Sequence, residues 1–85
     1  MNVFVVMWTH KYGQDMWVAS TMEIAKKTLA TELLQAAVGE LGDEVDEEFR
    51  KLYREENYPE AIRVYFRAME GLESYEIEER RVNDR

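Results

Sequence analysis

The sequence predicts an α+β fold, a single domain over residues 1–85, and three observations carry that prediction. Residues 3–19 read as a β-hairpin, the middle of the chain carries three helical periodicities in succession, and residues 74–82 alternate apolar and polar as a strand does. The resulting order, ββαααβ, segregates helices from strands. That places three helices on one face of a three-stranded antiparallel sheet.

In the hairpin, a turn at Tyr12-Gly13 sets the pairing, because Gly13 accepts the positive φ a tight turn needs. His10 then opposes Asp15, Trp8 opposes Trp17, and Met7 opposes Val18. Ser20-Thr21-Met22-Glu23 has the form of a capping box, with Ala19 and Ile24 as a weak hydrophobic staple. The first helix carries Met22, Ala25, Leu29, Leu33 and Ala36 on one stripe. Leu34, Val38 and Leu41 widen that stripe, and Gly39 or Gly42 ends the helix.

Asp43 is expected to cap the second helix, which turns Val45, Phe49, Leu52 and Tyr53 inward. Pro59 suits the first position of the third helix, where Ile62, Tyr65, Phe66 and Met69 recur and Gly71 follows the end. The last strand has Tyr75 and Ile77 on one side and Glu76, Glu78 and Arg80 on the other; residues 83–85 fray. Residues 3–6 are apolar on both faces, as befits a central strand. Three helical reversals make the last strand antiparallel to the first, giving the sheet order 2-1-3.

Composition narrows the function. The chain has no cysteine and one histidine, which removes disulfides and the usual zinc frameworks, and no cofactor or metal is expected. A net charge of −7, from 18 acidic and 11 basic residues, disfavours direct binding to nucleic acid. A basic protein or a cationic ligand suits it better. No apolar run is long enough for a membrane span or a signal peptide, so a cytoplasmic location is expected. A chain this short, with an expected radius of gyration of roughly 12 Å, leaves much surface in water and gains from association.

The hairpin sorts into two faces. One carries Val3, Val5, Met7, Thr9, Met16 and Val18, a plain aliphatic surface for the helices to cover. The other carries Phe4, Val6, Trp8, His10, Asp15, Trp17 and Ala19, with Glu76, Glu78 and Arg80 as companions on the last strand. That aromatic face exceeds what a monomer exposes, so something should cover it. The candidate partner- or ligand-binding residues are therefore Phe4, Trp8, His10, Asp15, Trp17, Glu76 and Glu78. A homodimer through this face, or one helix folding across it, is one reading, and the homodimer predicts that Trp8→Glu yields a monomer. Recognition of another protein or a cationic group by the same rings is the other reading.

A His10–Asp15 pair could orient an imidazole for general base work, yet a cross-strand polar contact near a turn explains it more simply. There is no phosphate loop, activated nucleophile or metal-ligand cluster, and the chain is not expected to be an enzyme. The acidic run at residues 43–48 invites a reading as a nucleic-acid mimic that inhibits a host or defence protein. Acids early and Arg50, Lys51 and Arg54 late in a helix also complement its macrodipole.

Val5-Val6-Met7-Trp8-Thr9-His10-Lys11-Tyr12-Gly13-Gln14-Asp15 resembles the first hairpin of a group of short uncharacterised proteins from phages and bacterial genomes. These share its order of aromatic, His, basic residue, small turn and Asp. Glu73-Ser74-Tyr75-Glu76-Ile77-Glu78-Glu79 is similar to their last strand. The resemblance implies a phage-like accessory protein that binds a host or defence protein, and it assigns no residue roles. The sequence thus points to a small acidic, non-enzymatic interaction protein, with a nucleic-acid mimic and a small-ligand binder as the alternatives.

Overall fold

The computed structural model describes residues 1–36 and 41–82. Strands β1 (Asn2–His10) and β2 (Gly13–Ala19) precede helices α1 (Met22–Ala36), α2 (Asp43–Arg54) and α3 (Tyr58–Ala68), and β3 (Ser74–Arg81) follows. The sheet is antiparallel with order β2-β1-β3, as the apolar central strand predicts. Val38, Gly39 and residues 83–85, named above for the end of the first helix and for fraying, lie outside the described residues. The radius of gyration of 13.5 Å and a thinnest extent of 17 Å describe a flat slab. It has one helical layer and one sheet layer.

The hairpin turn falls at Lys11-Tyr12, one position earlier than predicted, with His10 opposite Gly13. Gly13 takes its positive φ, 131°, just after the turn, while the two turn residues keep negative φ. His10 supports this turn directly, since its Nδ1 accepts from the Tyr12 backbone N–H at 3.2 Å. The pairing therefore shifts by two residues: Trp8 opposes Asp15, Val6 opposes Trp17 and Met7 opposes Met16. An even shift leaves every side chain on its own face.

Helix α1 is capped by Thr21 rather than Ser20: the Ile24 N–H donates to Thr21 Oγ1 at 3.1 Å. The Ser20 capping box and the staple through Ile24, which is exposed, do not form. Thr21→Ala should cost about 1 kcal/mol in a thermal or urea melt, whereas Ser20→Ala should change stability by no more than a few tenths. Gly42, not Asp43, occupies the cap position of α2, and Asp43, Glu44 and Asp46 fill its first turn. Lys51 and Arg54 fill the last, and Asp46 accepts from Arg50 Nε at 2.9 Å. This is the dipole-complementing arrangement expected of a solvated helix.

The α2–α3 junction is a Schellman turn: the Glu56 N–H bonds to Tyr53 O and the Asn57 N–H to Leu52 O. Its left-handed residue is Glu56, at φ 59°, where glycine is usual. Glu56→Gly should raise stability by about 1 kcal/mol by relieving the Cβ clash. Glu56→Ala retains that carbon and should gain little, a contrast that paired thermal melts can read.

The core lies between the helices and the aromatic face of the sheet. Val6, Trp8 and Ala19 are buried there with Ala25, Leu29, Ala30 and Leu33 of α1, Phe49 of α2, and Ala61, Ile62 and Tyr65 of α3. Phe4, Trp17 and Ile77 pack around them. This reverses the sequence expectation that the helices would take the aliphatic face. The reason is area: each large aromatic ring buries about 150–250 Å2, so the fold gains more by covering Phe4, Trp8 and Trp17 than by covering valines. The two-residue link at Ser20-Thr21 then carries α1 back over Ala19, whose small side chain admits the helix.

Candidate functional site

The seven residues singled out from the sequence do not form one surface. Phe4, Trp8, His10, Asp15 and Trp17 share the helix-covered face, whereas Glu76 and Glu78 project from the opposite one, beside Met7 and Val5. On β3 it is Tyr75 and Ile77 that join the aromatic face, opposite Trp8 and Val6. Trp8 is only 5% exposed, so the aromatics are core rather than a docking surface.

Those rings make a ladder through the slab. Trp17 stacks on Trp8 at 6.4 Å between centroids, Trp8 meets the edge of Tyr65 at 6.5 Å, and Tyr65 meets Phe49 at 6.1 Å. The polar tips of the two middle rings converge on one carboxylate. Trp8 Nε1–H and Tyr65 O–H both donate to Glu73 Oε1, each at 2.8 Å. Glu73 stands just before β3, so this pair of bonds ties β1, α3 and the last strand together. Sequence reasoning passed over Glu73. The signal was two buried aromatic donors, each requiring an acceptor.

Beneath the hairpin tip, Trp8, His10, Asp15, Glu32, Tyr65 and Glu73 line a cleft of about 320 Å3. His10 Nε2 lies 2.8 Å from Asp15 Oδ2, across the tip as the sequence anticipated, although the two are not register partners. With Nδ1 accepting from the Tyr12 N–H, the proton of the neutral ring belongs on Nε2, which donates to Asp15. Both ring nitrogens are thereby engaged in holding the turn. Three carboxylates beside rings are chemically suited to a cation, but the carboxylates of Asp15 and Glu73 already accept from His10, Trp8 and Tyr65. Among the described residues no cluster of three or more His, Cys, Asp or Glu side chains could hold a metal, and no helix is long and apolar enough to cross a membrane.

Among the described residues, no helix lies over the other face of the sheet. It is a grid of side chains whose rows run across β2, β1 and β3: Gln14–Thr9–Ser74, Met16–Met7–Glu76, Val18–Val5–Glu78, and then Val3–Arg80. Met16 is 57% exposed and Val18 66%, while Val5, in the middle of the grid, is buried. None of the five aliphatic residues belongs to the core cluster. Polar groups fence the patch. Gln14 Nε2 donates to Thr9 Oγ1 at 3.3 Å at one end, and Arg80 pairs with Glu78 at 3.1 Å along the β3 side. An apolar centre with a polar rim is the anatomy of a protein–protein contact. Comparison with family models, curated proteins and solved structures finds no match to this chain.

Proposed function

We propose that this chain is a small non-enzymatic interaction protein that self-associates through the open face of its sheet. The single observation behind the reading is the patch of Val3, Val5, Met7, Met16 and Val18, which no helix among the described residues covers, on a sheet whose other face is packed. Strands about 4.8 Å apart and four rows about 6.8 Å apart make the whole face roughly 400 Å2, with the five aliphatic side chains grouped on β1 and β2. Stacking two such faces buries on the order of 800 Å2 in total. That lies below the roughly 1,200 Å2 of standard stable complexes, so a reversible, concentration-dependent dimer is expected.

Charge does not oppose this. Glu76, Glu78 and Arg80 leave the face nearly balanced, and the acids of α2 lie in the helical layer on the far side of the slab. At physiological ionic strength, where the screening length is about 8 Å, their repulsion across the stacked sheets is weak. The test is sedimentation equilibrium across a wide concentration range. The wild type should move from monomer to dimer, and Val18→Glu should stay monomeric with an unchanged circular dichroism spectrum. A wild type that is monomeric throughout, or a folded Val18→Glu that still dimerises, overturns the proposal.

A further inference from the structure

We infer that the occupant of the open face is a second copy turned end for end, about a two-fold axis that crosses the strands at the Val18–Val5–Glu78 row. This rests on the self-association proposed above and adds the arrangement. Two sheets that stack in an aligned fashion keep their strands within about 30° of each other, which leaves two families of two-fold axis. An axis along the strands would set β2 against the partner's β3. Met16 and Val18 would then lie on Glu76 and Glu78, burying carboxylates against aliphatic groups that offer no hydrogen bond.

An axis across the strands keeps each column over its own counterpart, so the aliphatic columns of β1 and β2 meet aliphatic columns. Charge and the number of rows overlapped together then fix the position of the axis along the strands. Midway between the Met7 and Val5 rows, it would place Glu76 over the partner's Glu78, acid against acid. On the Val5 row it places Val5 and Val18 over their own copies and Met7 over the partner's Val3. It also sets Glu76 over the partner's Arg80, twice by symmetry. The two Glu78 side chains then come nearest each other, and each already has Arg80 of its own strand at 3.1 Å. This is an isologous contact in which one surface is complementary to itself.

The test uses charge reversal at two exposed positions. Glu76→Arg sets a guanidinium against the partner's Arg80, and Arg80→Glu sets two acids together, so each variant alone should dimerise roughly tenfold or more weakly than wild type. Mixed together, the two variants should recover dimers at near wild-type affinity, because in the heterodimer both reciprocal contacts pair a base with an acid, whereas each homodimer pairs like charges. The double variant E76R/R80E should dimerise by itself, since each reversed acid then faces a reversed base. Glu79→Arg, on the helix-covered side of β3, controls for net charge and should not rescue Arg80→Glu. If Val18→Glu abolishes the dimer but Glu76→Arg and Arg80→Glu leave it unchanged, or the double variant recovers nothing, the end-for-end arrangement is wrong and self-association through this face stands. A monomeric wild type removes both.

Discussion

Trp8→Glu is expected to unfold the protein rather than to dissociate it. Trp8 is 5% exposed and sits at the centre of the ladder that joins β2, β1 and α3. Truncation of such a residue alone costs about 3–5 kcal/mol, and an unpaired carboxylate in its place adds a desolvation penalty. A domain of this size has about 4–13 kcal/mol of total stability at typical per-residue values, so little or none should remain. Far-ultraviolet circular dichroism should show loss of structure at 25 °C, while Val18→Glu stays within about 1 kcal/mol of wild type. A well-folded Trp8→Glu would mean that the helices do not cover the aromatic face.

Glu73→Ala should be the next most damaging single change, and for a different reason. Its Oε1 is the acceptor for both Trp8 Nε1–H and Tyr65 O–H. Its loss leaves two largely buried donors unpaired, at about 1–3 kcal/mol each. Water entering from the neighbouring cleft offsets part of that, so about 2–3 kcal/mol is expected, a fall in Tm of roughly 10–20 °C for a domain of this length. Glu73→Gln keeps an oxygen in place and should cost about 1 kcal/mol or less. Equal losses in the two variants would show that the negative charge, and not the acceptor, is what matters.

Much of the fold was legible because its signals are local. Apolar periodicity placed all six elements, and the doubly apolar β1 fixed the sheet order. The face of each hairpin residue also survived an error in the turn, because the slip was even. What was not legible was which face meets the helices. Strand alternation sorts side chains into two sets but carries no label for inside. The label was in the rings, whose area outweighs that of the aliphatic set, and in β3, where Tyr75 and Ile77 had to accompany one set and three charged residues the other. Placing Glu76 and Glu78 beside the tryptophans put charges where the fold has its core.

The remaining misses are matters of geometry that no residue type announces. Ser20 and Thr21 are equally good caps in sequence, and only the backbone path chooses Thr21. A left-handed Glu56 runs against its own preference and is held there by the two carbonyls that the turn satisfies. The histidine drew attention as the only one in the chain, but its two nitrogens hold a turn.

The stacked indoles of Trp8 and Trp17 also make the molecule its own optical reporter. Both tryptophans of the chain lie on one face, 6.4 Å apart and inclined by 23°, and none lies on the open side. Intrinsic fluorescence therefore follows the packing of helices onto sheet and is blind to what happens across the slab. Emission should stay constant as the protein is diluted through its dimer transition and shift to the red only when the helical layer comes away. Assembly and folding can thus be watched separately in the same sample, one by mass and the other by light.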